Sequence, residues 1–113
     1  MKDFPPVKDA KLTPSVISKL KSYFKVTMFS EGEATISVSK TGGVHYTGVR
    51  QSTKCVNFEV MRNHVYFMVT LIEYPKGVII HIHVFLPHLS KMSGESDPRA
   101  VKLYSEVKNI LQP

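Results

Sequence analysis

Two long apolar runs separated by a short turn constrain this chain most. Residues 65–74 read VYFMVTLIEY, residues 75–77 are Pro-Lys-Gly, and residues 78–86 read VIIHIHVFL. Apolar runs on either side of a Pro-Gly turn predict an antiparallel β-hairpin. Both faces of each predicted strand are largely apolar. We therefore expect cover on both faces, from helices, a second sheet or another copy of the chain.

Length and composition predict one globular domain. The chain has 113 residues, of which 42% are hydrophobic and 21% charged, and we assign residues 1–113 to a single domain. Residues 1–12 contain Pro5-Pro6 and no apolar period, which predicts an extended or mobile lead-in. No apolar run reaches about 18 residues, so we expect no membrane span. The absence of a signal-like N-terminus and the single Cys55 favour a cytoplasmic location.

Both ends of the chain carry helix signals. Thr13-Pro14 combines a capping residue with a proline that suits the first helical position, and Asp97-Pro98 repeats the combination. Apolar residues then recur at helical spacing in both segments. In the first they are Val16, Ile17, Leu20 and either Tyr23 or Phe24, and in the second Ala100, Val101, Tyr104, Val107, Ile110 and Leu111.

Between the helix signals the apolar period shortens to two residues, which is typical of strands. We predict turns at Glu31-Gly32, 41–43, 51–53 and 62–64. The connections are too short for parallel crossovers, so the fold predicted is α+β, with an N-terminal helix, an antiparallel meander of about six strands, and a C-terminal helix packed on the sheet. The predicted strands cover residues 24–28, 34–39, 44–50, 54–62, 65–74 and 78–86.

The formal net charge of +6 is concentrated near the N-terminus, where residues 1–25 hold six lysines against two aspartates. A basic leading segment could bind nucleic acid, anionic lipid or an acidic partner. The simpler interpretation is a solvated helix face that keeps the protein soluble. The candidate residues for anion or nucleic-acid contacts are Lys11, Lys19, Lys21, Lys25, Arg50, Lys54 and Arg62.

His81 and His83 form the most suggestive chemical pair. Residues two apart on a strand point to the same side, roughly 7 Å apart, so both imidazoles could reach one metal ion. Metal barrels of the cupin type use such a pair but add an acidic ligand a few residues later, and residues 84–88 supply none. The simpler interpretation is a half-buried polar pair at a contact. The candidates for a third ligand are His45, His64, His88, Glu73 and Cys55.

No catalytic residue or cofactor site is predicted. Cys55 lies in no acyl-transfer or protease signature and is interpreted as an inert structural thiol. The glutamates lie at predicted turns and strand ends, without a paired acid and base. The segment 41–43 is too short for a glycine-rich phosphate loop. A protein without enzymatic activity is therefore favoured.

The element order resembles that of a known family. The amphipathic segment 13–24, the strands over 24–86 and the apolar stripe of 101–111 resemble the p32 or mitochondrial-matrix acidic protein family. That resemblance implies ring-shaped trimers, helices packed on the sheets and between subunits, and many binding partners. The family is acidic whereas this chain is basic, so its acidic binding surface is not carried over. Small secretion chaperones, which dimerise, are a second analogy.

These features predict a non-enzymatic binding and assembly module. We expect it to form a homo-oligomer, either a dimer or a trimer, and to bind a protein partner. One alternative is a nucleic-acid or anion-binding protein that uses the basic N-terminal segment. The other is a small metal-dependent enzyme at His81 and His83.

Overall fold

The computed structural model of the protein describes residues 4–26, 29–40, 42–43, 48–85 and 98–112. Two helices and five strands account for most of these residues, which confirms the predicted α+β class. The elements in chain order are β1 (Val7–Lys8), α1 (Pro14–Phe24), β2 (Phe29–Val38), β3 (Val49–Arg62), β4 (Val65–Tyr74), β5 (Gly77–Phe85) and α2 (Pro98–Leu111).

The strands form one sheet in the order β1-β5-β4-β3-β2, and every neighbouring pair is antiparallel. Strands β2 to β5 follow one another as a meander, as the short connections predict. The predicted hairpin is present: β4 and β5 pair from Tyr66 opposite Phe85 to Tyr74 opposite Gly77. Pro75 and Lys76 make the turn between them. Strand β4 therefore lies at the centre of the sheet.

The predicted count of six strands is wrong. Strand β2 continues through the predicted turn at Glu31-Gly32, and β3 continues through the predicted loop at 51–53. Ten consecutive residue pairs, from Phe29 opposite Phe58 to Val38 opposite Val49, hold this long hairpin together. Residues 30–33 and 49–52 are exposed, so backbone pairing alone keeps these polar segments extended. Of the predicted strands 24–28 and 44–50, residues 27–28 and 44–47 lie outside the described residues.

A strand precedes the first helix, which corrects the predicted element order. Strand β1 pairs with the edge of β5, with Val7 opposite Val78 and Lys8 opposite Gly77. Val7 and Leu12 are buried. The Leu12 amide donates to Glu73 Oε2 at 2.7 Å, and the Leu12 carbonyl accepts from Lys54 Nζ at 3.1 Å. Two ionic side chains of the sheet thus satisfy the backbone that leads into α1.

Helix α1 begins and ends as its sequence predicts. The Thr13 hydroxyl oxygen accepts a hydrogen bond from the Val16 amide at 3.2 Å, and Pro14 occupies the first turn. Lys25 adopts a left-handed conformation with φ of 50°, and its amide donates to the Lys21 carbonyl. A non-glycine residue in this region ends a helix because the hydrogen-bond ladder cannot continue through it.

Both helices pack on the same face of the sheet. Ile17 and Leu20 of α1 are buried there. In α2 the buried residue Leu103 was missing from the predicted stripe, whereas Val101 is 44% exposed, so that part of the prediction is wrong. The sheet contributes alternate residues of its three central strands to this core, namely Val56, Phe58 and Val60 of β3, Phe67, Val69 and Leu71 of β4, and Val78, Ile80 and Ile82 of β5.

Neither helix in the described ranges is long and apolar enough to cross a membrane.

Candidate functional site

The opposite side of the sheet is the candidate site, and we call it the open face. Side chains alternate along strands, so the residues between those of the core point away from the helices. The core cluster that contains both helices includes none of them. The open face comprises Cys55, Asn57, Glu59 and Met61 of β3, Tyr66, Met68, Thr70 and Ile72 of β4, and Ile79, His81 and His83 of β5.

Large apolar side chains are exposed on the open face. Tyr66 is 49% exposed, and Met61, directly opposite it on β3, is 48% exposed. Val49, farther along β3 on the same side, is 71% exposed. When His is counted as neutral, Glu59 is the one residue of the open face with a formal charge. Exposed Tyr and Met with little charge are typical of the centre of a protein–protein interface.

A polar band crosses this apolar surface. Asn57, Thr70 and His81 are opposite one another on the three central strands. The Thr70 hydroxyl donates to Asn57 Oδ1 at 2.6 Å, and Asn57 Nδ2 lies 3.8 Å from Cys55 Sγ. The Thr70 hydroxyl donates to Asn57, so the band ends at the imidazole of His81.

The structure brings His81 and His83 together, and among the described residues it places no third metal ligand beside them. Their rings lie 6.2 Å apart between centroids, inclined by 18°. Glu73 points to the helix side, where it binds the Leu12 amide, and His64 lies in the β3–β4 turn. His45 and His88 fall outside the described residues. Within the described ranges, no group of three His, Cys, Asp or Glu side chains could hold a metal ion.

Cys55 is a buried thiol at the edge of the polar band. It is 8% exposed, and its neighbours across the sheet on the open face are Ile72 and then Ile79. Burial raises the pKa of the Cys55 thiol, and the hydrogen bond with Asn57 offsets only part of that effect. A raised pKa lowers the fraction of reactive thiolate at neutral pH. This environment does not activate a nucleophile.

Two of the seven basic candidates, Lys54 and Arg62, form hydrogen bonds within the protein, and a third, Lys21, has its Nζ 4.7 Å from the centroid of the Phe29 ring. Lys54 binds the Leu12 carbonyl. Arg62 Nη2 lies 3.1 Å from Glu106 Oε1 of α2, and its guanidinium stacks 5.7 Å from the centroid of the Phe24 ring. These two cations attach the helices and the N-terminal segment to the sheet.

The other basic candidates are distributed over the molecule. Lys21 shares a pocket between α1 and the sheet with Lys54, but Glu31 lines the same pocket. Lys11 lines a pocket at the turn end of the sheet, which Asp9 and Glu73 also line. The remaining positions are Lys19 on α1, Lys25 at its C-terminal cap, and Arg50 near the start of β3. Acidic residues therefore accompany the lysines that line these two pockets.

Compared with known proteins, the chain matches no family model, no curated protein and no solved structure. The resemblance to the p32 family stays a prediction.

The strand pattern predicted cover on both faces of β4 and did not identify the face of Tyr66, Met68 and Ile72 as the one that neither helix covers. It also missed the hydrogen bond between Asn57 and Thr70. A signal for this bond exists, because each is a polar residue inside an apolar strand. Pairing them requires the register of β3 against β4, which the two separate strand patterns do not specify.

Proposed function

We propose that this protein is a non-enzymatic binding and assembly module whose open face packs against the open face of a second copy. The observation that carries the proposal is the exposure of Met61 and Tyr66 on a nearly uncharged sheet surface that neither helix covers. Burial of such apolar surface against another copy is favourable, at roughly 25 cal/mol per Å² removed from water.

Charge favours a second copy as the occupant. The exposed lysines Lys19, Lys21, Lys102 and Lys108 lie on the two helices, on the side of the sheet away from the open face. Two copies that meet through their open faces keep these like charges at the outside of the pair. The open face has no Lys or Arg of its own, so it lacks the cations that phosphate binding requires.

The size of the open face suits a dimer. Three strands about 4.8 Å apart, paired over about eight residues of about 3.4 Å each, give a flat footprint of roughly 400 Å². Two such footprints cover roughly 800 Å², and the protruding side chains add further surface, which brings the buried area close to the roughly 1,000 Å² expected of a biological interface. Sheets that pack face to face in this way form the core of β-sandwiches.

The oligomeric state in solution tests the proposal. We expect sedimentation equilibrium to show a dimer over about 1 to 100 µM protein, with a dissociation constant in the micromolar range or lower. Tyr66→Lys places a charge in the proposed interface, near the β3–β4 turn, and should weaken the dimer by at least about tenfold. Val101→Lys is the matched control, because Val101 is exposed to a similar degree on α2, and it should leave the dimer intact.

Circular dichroism of each variant checks that the fold is retained. A wild-type protein that is monomeric throughout this range contradicts the proposal, as does equal weakening by Tyr66→Lys and Val101→Lys. A trimer contradicts the face-to-face pair and supports the ring arrangement that the family resemblance implies.

A further inference from the structure

We propose that the groove between the two helices, which we call the helix groove, binds an acidic amphipathic helix of a partner protein. The helix groove is lined by Ser18, Lys19, Ser22 and Tyr23 of α1 and by Ile110 of α2. It lies on the opposite side of the sheet from the open face, so it stays accessible in the proposed dimer. This inference does not depend on self-association.

The lining of the helix groove suits apolar side chains. Its volume is about 480 Å³. Tyr23 is 52% exposed, and its ring is held in place because the hydroxyl donates to Glu106 Oε1 at 2.6 Å and the ring contacts Phe24 edge to face. Ile110 is half-buried beside it. A fixed aromatic ring and an aliphatic side chain between two helices can receive the apolar residues of a third helix.

The charge around the helix groove selects an acidic partner. Lys19 lines the groove itself, and Lys21, Lys102 and Lys108 are exposed on the same two helices. The one acid within the bounds of α1 and α2 is Glu106. It accepts hydrogen bonds from Arg62 and Tyr23 and is largely buried, so it neutralises none of the exposed lysines. Helices α1 and α2 therefore carry no exposed acidic side chain beside these lysines, and Glu31 of β2 lines the neighbouring pocket that contains Lys21.

The same observations favour a protein helix over a nucleic acid. Single-stranded nucleic acids bind where several exposed aromatic rings provide a stacking surface along a basic groove. The lining of the helix groove has one aromatic ring, Tyr23, and an aliphatic neighbour, Ile110. Leucine side chains can pack against this lining, whereas a single aromatic ring gives successive bases no stacking surface.

A designed peptide tests the inference. The probe is a fluorescein-labelled amphipathic peptide of about 18 residues, with Leu at helical spacing on one face and Glu on the other. Fluorescence anisotropy at about 150 mM salt measures its affinity for the full chain. The comparison probes are the same peptide with Lys in place of Glu, and an oligothymidylate of about 20 nucleotides. We expect binding of the acidic peptide at least about tenfold tighter than that of either comparison probe.

Two charge reversals of equal size locate the binding site. Lys19→Glu changes the helix groove, whereas Lys76→Glu changes an exposed lysine in the β4–β5 turn. We expect Lys19→Glu to weaken binding of the acidic peptide by at least about fivefold and Lys76→Glu to change it by less than about twofold. Equal weakening by both variants, absence of measurable binding, or tighter binding of the oligonucleotide would overturn the inference.

Failure of this test leaves the open face unaffected, because the peptide measurements and the sedimentation measurements concern opposite sides of the sheet. Sedimentation of Lys19→Glu should show the same oligomer as the wild-type protein.

Discussion

Glu106 connects both helices to the sheet. Its Oε1 atom accepts from the Tyr23 hydroxyl of α1 and from the Arg62 guanidinium of β3, while Glu106 itself belongs to α2. Its other oxygen, Oε2, is buried without a hydrogen-bond partner in the part of the chain that the structure describes. A carboxylate in such a position depends on its two donors, since loss of one leaves the charge poorly compensated.

Tyr23→Phe should destabilise the protein in a pH-dependent way. The hydrogen bond to Glu106 raises the pKa of Tyr23 above its ordinary value, with a smaller contribution from burial. Stability gained from the neutral hydroxyl is fully present below the unfolded-state pKa, near 10, and is lost as pH rises through the higher folded-state pKa. Urea unfolding at several pH values between about 7 and 11 should therefore show a wild-type advantage over Tyr23→Phe that is constant up to about pH 10 and decreases above it.

Val101→Ala is the control for this measurement. Val101 is an exposed residue of α2, and neither valine nor alanine has a titratable side chain. Its substitution should give a difference in unfolding free energy that does not change across the same pH range. A constant difference for Tyr23→Phe as well would contradict the role assigned to the hydrogen bond.

The roles of individual residues could be predicted from the sequence where the residue interacts with near neighbours in the chain. Thr13 and Pro14 predicted the start of α1 because capping involves residues within one turn. The roles of Arg62 and Lys54 were not accessible, because their partners Glu106 and Leu12 lie 44 and 42 residues away. The sequence alone made both of them candidates for anion or nucleic-acid contacts.

At the scale of elements, β1 is the clearest case of structure imposed by contact with the rest of the fold. It is two residues long, and its partner is the edge of β5. Gly77 makes this approach possible: a Cβ atom there would lie 2.0 Å from the Val7 carbonyl oxygen and 2.9 Å from the Lys8 Cα. Two backbone segments can come this close only where one lacks a side chain.

Gly77→Ala should displace β1 from the sheet. We expect a loss of about 1 to 3 kcal/mol in unfolding free energy, together with faster hydrogen exchange of the Asp9 amide, which donates to the Lys76 carbonyl. Gly32→Ala is the matched control, since a Cβ atom at Gly32 would meet nothing within 4 Å. It should change stability by less than about 0.5 kcal/mol. Equal effects of the two substitutions would show that the close approach is not what Gly77 provides.

The elements that sequence predicted well have strong periodic signals. The hairpin of β4 and β5 has two apolar runs and a turn that only a few residue types favour. The long hairpin of β2 and β3 was divided wrongly because Gly32 and residues 51–53 carry turn-like residue types within continuous strands. Backbone hydrogen bonding between paired strands overrides such local preferences. This pairing can be recognised only when the positions of both strands are known.

At the scale of the whole molecule, the two sides of the sheet differ in cover and in charge. Both helices and the N-terminal segment lie on one side, and the exposed lysines of the helices are there as well. The apolar composition of both strand faces led us to expect cover on both sides. The same composition is consistent with one face buried within the chain and the other buried between copies. A sequence pattern cannot distinguish cover by the same chain from cover by another copy.

The reactivity of Cys55 tests the proposed dimer through the open face. Its burial and raised pKa predict that a thiol reagent modifies the native protein at least about tenfold more slowly than the urea-unfolded protein. Because Cys55 lies on the open face, dimer formation should slow the reaction further as protein concentration rises. The proposed monomeric variant Tyr66→Lys should react at a rate independent of concentration. A concentration-independent rate in the wild-type protein would contradict a dimer through this face.

The edge strands have a consequence for how large an assembly can grow. At one edge β1 pairs only with Gly77 and Val78 of β5, and at the other edge β2 carries Glu31 and Glu33. Acidic residues on an edge strand oppose edge-to-edge addition of further sheets. A pair related by a twofold axis uses the same patch on both partners, which leaves no patch to continue the contact. Such an assembly is closed at two subunits and does not extend into a fibre through its open faces.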